Sequence, residues 1–405
     1  MSQSGGLFSH RPFALFWVAR VLTASGFQIQ SVAVAWQVYE LTASALDLGV
    51  VGLVQFLPRL VLLPVAGDLA DRLDRRRLVA ASQAVQALGM AILAGLTWTG
   101  VVSRESIFIL LAVMGAARTF EMPTSQALLP ALVPETALAR AVAMGASAMQ
   151  AATIAAPALA GVLYVLGAGT VHGLAAVVFV LATGLTTCIR PLRPQPPFVG
   201  TTSGWARFRE GLGFVRHHRP VLGAISLDMM AVLLGGATAL LPIVAAEVLH
   251  TGPWGLGLLR SAPAVGALAM SLWLARHPLG RRVGHRMFQA VAIFGLATIG
   301  FGLSRSVWLS AALLVVLGAA DMISLVFRQA YIQLETPDAM RGRVSAVNAL
   351  FIGASNQLGE FESGVTAAWL GLVPAIVLGG VGTLVVAALW WRWFPELGRV
   401  DRLGD

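Results

Sequence analysis

The chain has 405 residues, of which 57% are hydrophobic and only 12% are charged, and its mean hydropathy is +0.78. An ordinary soluble domain carries about 25% charged residues, so this composition excludes a soluble protein and predicts an integral membrane protein. The formal net charge is +9, and all 28 basic residues are arginine. Without lysine there is no P-loop, Schiff-base lysine or Ser-x-x-Lys nucleophile.

The sequence contains no motif typical of a metal site or a cofactor site. The lone cysteine, Cys188, rules out a disulfide framework and a cysteine-ligated cluster. The pair His217-His218 is isolated from other ligand types and is interpreted as a solvated loop pair. Neither an H-E-x-x-H motif nor an EF-hand loop occurs. We therefore expect no enzyme activity, no metal site and no cofactor.

A window of about 19 residues predicts twelve membrane spans. The first is interpreted as an uncleaved helix, because no small-residue cleavage site follows its basic flank at the right distance. The predicted spans are 12–37, 47–66, 78–99, 104–128, 143–166, 171–189, 219–247, 254–275, 286–304, 307–332, 344–370 and 374–394.

The arginines are distributed unevenly among the loops. With the N-terminus inside, 21 arginines fall in cytoplasmic segments, two in outer loops and five within spans. This bias satisfies the positive-inside rule and predicts that both termini are cytoplasmic. Because the basic excess is spread over every inner segment, it indicates topology and excludes a nucleic-acid partner.

The regular succession of apolar spans is interrupted in the middle of the chain. A stretch rich in proline and small polar residues follows Ile189 and is typical of a linker. Trp205, Phe208, Leu212 and Val215 then recur at helical spacing opposite arginines, which predicts an amphipathic helix on the inner membrane surface or a plain helical linker. The predicted domains are an N-terminal six-helix half (1–190), this linker (191–218) and a C-terminal six-helix half (219–405).

The two halves resemble each other after a shift of 203 residues. The shift aligns residues 126–143 with 329–346 and matches six positions in the same loop of each half. The matched pairs are Gln126/Gln329, Ala127/Ala330, Pro134/Pro337, Glu135/Asp338, Arg140/Arg343 and Ala143/Ala346. Parallel halves predict a pseudo-twofold axis along the membrane normal and a binding site near the midplane.

The loop between spans two and three carries a motif. Its sequence, GDLADRLDRRRL (67–78), resembles the G-x-L-a-D-R-x-G-R-R signature of the major facilitator superfamily, with Asp74 standing where glycine is expected. The resemblance implies an all-α membrane protein of twelve transmembrane helices in two pseudo-symmetric six-helix halves. Residues 28–72 look most like the bacterial branch that contains enterobactin and macrolide exporters.

The resemblance implies a function. It implies secondary active export of amphipathic small molecules, a drug or a siderophore, by alternating access in a bacterial inner membrane. It also implies coupling to the proton gradient and a monomer in the lipid bilayer. The alternatives are an importer of a metabolite with the same fold and a non-transporting lipid-handling or receptor-like membrane protein.

The signature loop is interpreted as a breakable latch. Gly67 lets helices approach, Asp71 can meet the N-terminus of a helix, and Arg72, Arg75 and Arg76 can pair with carboxylates. Such contacts near water are worth about 0.3–1 kcal/mol each, so several together can bias a two-state equilibrium. The alternative is that these arginines only anchor topology.

Span five carries a degenerate copy of a superfamily antiporter motif. Ala156, Pro157 and Gly161 stand at its packing positions, with alanine at most slots where the motif has glycine. Close helix packing survives this replacement. The pattern mildly favours an exporter.

Charged side chains within spans are candidates for function, because each costs roughly 2.5–3.5 kcal/mol at a helix centre. The proton-coupling candidates are Glu121, Asp321, Asp228, Glu360 and Glu362. Five arginines, among them Arg20, Arg118 and Arg328, balance these five acids. Arg118 lies three residues from Glu121 on one helix face, and the 203-residue shift places it opposite Asp321. A permanent structural ion pair is the alternative to a coupling role.

Polar residues in spans one and eleven predict the lining of a cavity. The substrate candidates are Arg20, Thr23, Phe27, Gln30, Gln37, Arg118, Arg328, Asn356 and Gln357. Glu360 and Glu362 are about 200° apart on a helix, so both cannot face one cavity. A mixed polar and aromatic lining suits a medium-sized amphipathic substrate.

Overall fold

The computed structural model describes residues 7–192, 204–277, 281–338 and 340–401. The side chains of residues 63–68, 70–72, 204, 206 and 207 lie outside this description. Every regular element of the described part is helical, as predicted. The helices before the linker are α1 Arg11–Thr42, α2 Ala45–Arg72, α3 Arg75–Trp98, α4 Arg104–Leu128, α5 Leu138–Leu163 and α6 Ala168–Thr187.

The helices after the linker are more varied in length. They are α7 Gly204–His217, α8 Arg219–Gly235, α9 Leu241–Ile243, α10 Gly252–Arg276, α11 Val283–Leu303, α12 Val307–Glu335, α13 Arg341–Leu370, α14 Leu372–Trp393 and α15 Pro395–Arg399. Short 3₁₀ turns occupy Leu7–Ser9, Leu129–Ala131, Glu135–Ala137, Tyr164–Leu166 and Ala237–Leu240, and Val244–Val248 is a π-helical turn.

Within the described residues, 11 helical segments are long and apolar enough to cross a membrane. They correspond to eleven of the twelve predicted spans. The remaining one, 344–370, lies in α13, whose 30 residues exceed the length needed but include Arg341, Arg343, Glu360 and Glu362. The charges lower its hydropathy, so the count of twelve rests on the length of α13 and not on its composition.

The chain divides into two compact units. The first comprises Met1–Leu41 and Val54–Gly204, and the second comprises Thr42–Leu53 and Trp205–Asp405. In the first unit, α3 packs against α4 and α6. In the second, α11 packs against α12 and α14, α10 packs against α12, and α8 packs against α13 and α14. The start of α2 belongs with the second unit because Gly49 approaches the backbone of α13 at Gly364.

One turn is repeated in the two units. Gly167, before α6, has φ +92°, and Gly371, before α14, has φ +91°. Residues other than glycine rarely adopt this left-handed backbone conformation. The two glycines are 204 residues apart, close to the shift found in the sequence, which is what duplicated halves predict.

The predicted span 219–247 is interrupted. α8 ends at Gly235, and the chain continues through a 3₁₀ turn, α9 and the π-helical turn. A Cβ at Gly236 would lie 3.0 Å from the backbone of Gly359 in α13, and Pro242 removes a backbone donor. The Ser363 hydroxyl donates to the Gly236 carbonyl at 3.2 Å, which satisfies a group freed by the break, as a membrane interior requires.

The amphipathic helix α7 docks on protein. Val215 is buried, and Phe208 packs against the same apolar cluster as Val221, Ile225 and Val344. A Cβ at Gly211 would lie 2.7 Å from the Arg343 carbonyl oxygen, and the Arg343 guanidinium pairs with Glu210 at 2.7 Å. The membrane-surface interpretation is therefore incomplete, because part of the apolar face packs against other helices of the second unit. Trp205 and Leu212 stay exposed.

Asp74, the departure from the signature, is the N-cap of α3. Its carboxylate accepts a hydrogen bond from the Arg77 backbone N–H at 3.1 Å. A side-chain acceptor at this position satisfies a donor that the first helical turn leaves free. Aspartate thus provides capping that glycine at this position would not.

We expect Asp74→Ala to lower the free energy of unfolding by about 1 kcal/mol, because the cap is lost. Asp74→Gly should cost only a few tenths of a kcal/mol, and Asp74→Asn should be close to neutral. The measurement is thermal unfolding of the purified variants in detergent. Equal midpoints for the alanine and asparagine variants would remove the capping role.

Candidate functional site

The ten predicted intramembrane charges are not shared equally between the units. The first unit holds three arginines, Arg20, Arg59 and Arg118, against one carboxylate, Glu121. The second unit holds two arginines, Arg260 and Arg328, against four carboxylates, Asp228, Asp321, Glu360 and Glu362. These ten charges sum to zero over the whole chain. Within the predicted spans, however, the first unit carries a net positive charge and the second unit a net negative charge.

Glu121 of α4 is the buried acid of the first unit. It is 5% exposed, and its charged neighbours are Arg118 of the same helix and Arg20 of α1. Its Oε2 atom has no hydrogen-bond partner among the described residues. A carboxylate held among arginines with an unsatisfied oxygen is a group that can take up a proton or accept a ligand donor.

The guanidinium of Arg118 lies over an aromatic ring. Its Cζ atom is 3.6 Å from the centroid of Phe27, and the Phe27 ring meets Phe179 edge-on at 5.4 Å. The predicted local pair with Glu121 is not a direct one, because no contact within 4.0 Å joins the two charges in the described structure. The geometric reason is that the cation–π contact directs Arg118 toward α1. Arg118 remains exposed.

Two buried glutamines of α3 were not among the predicted candidates, and one of them, Gln83, belongs to this cluster. The Gln83 amide donates to Thr23 Oγ1 at 3.0 Å and also interacts with Glu121. The Gln86 amide donates to the Met114 carbonyl at 2.8 Å. Both side chains are buried. Two glutamines three residues apart in an apolar span were the available signal, since both then share one helix face.

The polar stripe predicted on the first span divides into separate environments. Arg20 and Phe27 are partly exposed, whereas Thr23, Gln30 and Gln37 are 3–4% exposed. Gln37 donates to Thr97 Oγ1 at 2.9 Å, and its Oε1 is 2.7 Å from Nε2 of His172. This closed network ties α1 to α3 and α6, so Gln37 has a packing role and leaves the set of accessible candidates.

The second unit carries its buried charges on α8 and α12. Asp228 is 7% exposed and forms an ion pair with Arg328, which is 2% exposed. Asp321 interacts electrostatically with both. Among the described residues of its own unit, the charged partners of Asp321 are thus Asp228 and Arg328, and the pair with Arg118 that the 203-residue alignment suggests stays a prediction. Asp228 and Asp321 also line one small cavity.

The acids of α13 face different surroundings, as their angular separation predicts. Glu360 interacts with Arg260 and accepts a hydrogen bond from Thr238 at 3.4 Å. Glu362 accepts from Thr366, four residues along the same helix, at 2.8 Å. The candidates Asn356 and Gln357 differ too: Asn356 is exposed and donates to the Ile352 carbonyl, while Oε1 of Gln357 is buried beside Gly52.

The described arginines of the signature loop bind helix ends of their own unit. Arg75 donates to the Ala127 carbonyl at 3.0 Å, and Arg76 donates to the Ile189 carbonyl at 3.0 Å. Ala127 lies in the last turn of α4, and Ile189 follows the end of α6. At such helix ends, free carbonyl acceptors and the negative end of the helix dipole favour a cation. The latch residues Gly67, Asp71 and Arg72 belong to α2, and their side chains lie outside the described residues.

The span-five residues are packed as close helix contacts require. Ala156, Pro157 and Gly161 are all buried in α5, together with Ala152 and Ala160. A run of small residues on one face lets helices approach closely in a membrane. The structure assigns this stripe to packing.

Helices long enough to cross a membrane, a turn repeated in both units, and charged side chains on corresponding helices are features of the major facilitator fold. Solved structures of transporters share the fold: a mutant of the nucleoside transporter NupG matches with a TM-score of 0.78 at 10% identity, over 95% of this chain and all of that one. A bacterial homologue of the human lysosomal transporter Spinster matches with a TM-score of 0.72 at 14% identity, over 97% and 99%.

The chain belongs to the transmembrane secretion effector family, which matches residues 5–401. The enterobactin exporter EntS of Citrobacter koseri is 26% identical over 400 residues, which cover 97% of this chain and 94% of the relative. EntS of Salmonella typhimurium is 25% identical over 403 residues with the same coverage. The protein is therefore a multi-span membrane transporter and not an enzyme.

Proposed function

We propose that the protein exports amphipathic small molecules by alternating access and that a proton gradient drives the export. The observation that carries the proposal is the placement of ionisable groups within the spans on equivalent helices of the two units. Arg20, Arg118 and Glu121 lie on the first and fourth spans, and Asp228, Asp321 and Arg328 lie on the seventh and tenth. Charges at such depth persist where they act on ions or substrates.

The proposed substrate is an anionic, aromatic molecule such as a siderophore. Within its predicted spans the first unit has three arginines against one carboxylate, and its exposed Arg118 lies on the ring of Phe27. A guanidinium binds carboxylates and phenolates through a fixed fork of donors, and the ring offers an apolar surface. The enterobactin exporters among the relatives support this choice over a cationic drug.

The proposed setting is a bacterial inner membrane, with both termini in the cytoplasm and the protein a monomer. The 21 arginines on one side support this topology. The proposed latch includes Gly67, Asp71 and Arg72, next to the two arginines that hold α3 to the ends of α4 and α6. Breaking such contacts near water costs little, so the equilibrium between two conformations stays adjustable.

Glu121→Gln should abolish substrate-driven proton movement, because the variant keeps the size of the side chain but cannot exchange a proton. The measurement is the internal pH of proteoliposomes while catecholate siderophores, macrolides or amphipathic dyes are added. Glu105→Gln is the matched control, since Glu105 is an exposed acid in the first turn of the same helix.

Three results would contradict parts of the proposal. Normal proton movement in the Glu121 variant would remove that residue from coupling. Substrate flux without proton movement in the unmodified protein would overturn proton antiport. Accumulation of substrate in cells that make the protein, in place of depletion, would establish import and overturn export.

A further inference from the structure

In the second unit, one cluster of charged side chains contains two carboxyl groups and a single guanidinium. Asp228 and Arg328 form an ion pair whose side chains are 9% and 3% exposed. Asp321 lies seven residues before Arg328 on α12 and interacts with both partners. Two ionised carboxylates and one guanidinium would leave a net charge of −1 in a membrane-embedded interior, which is costly without a compensating cation.

Among the described residues, no second cation of this unit is recorded as acting on Asp321. From α11 the neighbours are Ala290, Val291 and Phe294. On α10, the charge interaction of Arg260 is with Glu360. Among the described residues, the charges that act on Asp321 are Asp228 and Arg328 alone. Within the described part of the second unit no further cation compensates the second carboxylate, and protonation of one carboxyl group would restore neutrality.

A small cavity adjoins the two carboxylates. Its polar lining is Asp228, Asp321 and Ser324. The remaining lining residues are apolar: Ala231, Val232, Ala290, Val291, Phe294 and Ala320. The space suits about one water molecule, and three polar side chains are enough to hold it. Such a cavity admits a water that relays protons and excludes a metabolite.

The arginine has unused binding capacity. Its Nε–H group is buried and has no acceptor among the described residues. A guanidinium presents five donors and can bind two carboxylates at once. Arg328 can therefore bind Asp228 alone when Asp321 is neutral, or both acids when Asp321 is ionised.

We infer that Asp321 holds the exchangeable proton of the second unit, and that release of this proton redirects Arg328 from Asp228 alone to both carboxylates. In this step the carboxyl O–H bond of Asp321 breaks, the proton passes to water in the cavity, and the guanidinium compensates the new charge. The inference deepens the proposed proton coupling and rests on it for its physiological use. The site itself can be tested without any substrate.

The test is infrared spectroscopy of the purified full-length protein in lipid nanodiscs during a pH titration. We expect a protonated carboxyl band that shifts in D₂O, shifts again when aspartate is labelled with ¹³C, and disappears as the pH rises. Asp321→Asn should lose this band, and Glu105→Gln should keep it. The labelled, unmodified protein distinguishes aspartate from glutamate even if the Asp321 variant does not fold.

Three outcomes would overturn the inference: an aspartate band that persists in Asp321→Asn, no titrating aspartate band, or a titration that moves when sodium replaces choline. The last would identify the exchangeable cation as sodium. A titrating Asp321 band together with proton-independent substrate flux would leave the site intact and overturn the proposed antiport. Proton-coupled substrate flux without a titrating aspartate band would support the proposed antiport and overturn the assignment of the proton to Asp321.

Discussion

Arg328→Met should destabilise the protein by about 3–5 kcal/mol, because it leaves Asp228 as a buried and unpaired carboxylate. Arg328 is 2% exposed and provides the ion-pair partner of Asp228. The loss should be smaller in acid than in alkali, since protonation removes the buried charge of the aspartate. The measurement is the thermal unfolding midpoint in detergent at several pH values.

Two controls separate the buried charge from the loss of an arginine as such. Arg305→Met replaces an exposed arginine and should leave the midpoint nearly unchanged. The double variant Arg328→Met with Asp228→Leu should recover most of the stability, because a buried ion pair replaced by apolar groups is often neutral. A double variant as unstable as Arg328→Met alone would contradict this account.

Gly318→Ala should destabilise the protein by about 1–3 kcal/mol, because the helices α10 and α12 meet there backbone to backbone. A Cβ at Gly318 would overlap the carbonyl of Pro263, and a Cβ at Gly266 would overlap the carbonyl of Val315. Neither obstacle is a flexible side chain, so one helix must move. Small residues at such crossings are how membrane helices approach closely.

Gly95→Ala is the matched substitution with the opposite sign. Gly95 lies within α3, and a Cβ there would meet nothing within 4 Å. Alanine in an open helical position should stabilise by about 0.5–1 kcal/mol. The unfolding midpoints of both variants, compared with the unmodified protein, test the packing directly. A Gly318 variant that unfolds no earlier than the Gly95 variant would disprove the backbone contact.

The helical architecture was predictable from the sequence because a lipid interior permits few alternatives. A spanning segment must satisfy its own backbone groups, so hydropathy alone locates the helices. Eleven predicted spans reappear as such, and even α13, too polar for the composition test, is a helix of sufficient length. The interruption near Gly236 was not predicted, because it depends on the backbone of α13 lying against that glycine.

The candidate site was predictable as a set of residues but not as a set of pairs. Intramembrane charges are rare and costly, so Glu121, Asp228 and Asp321 could be chosen from the sequence. Their partners could not, because a partner lies on another helix whose rotation and depth are set by packing. Arg118 lies on Phe27, and Asp321 lies near Asp228 and Arg328.

The sequence by itself determined the membrane class, the duplicated halves and the residues that carry charge in the interior, because these follow from composition, period and the cost of burying ions. Only the tertiary structure decided which side chains meet. Gln37, predicted to line a cavity, forms hydrogen bonds with Thr97 and His172 in the structure. Gln83, which was not predicted, contacts Thr23 and interacts with Glu121. Contacts between helices depend on their relative rotation and depth, which no single helix encodes.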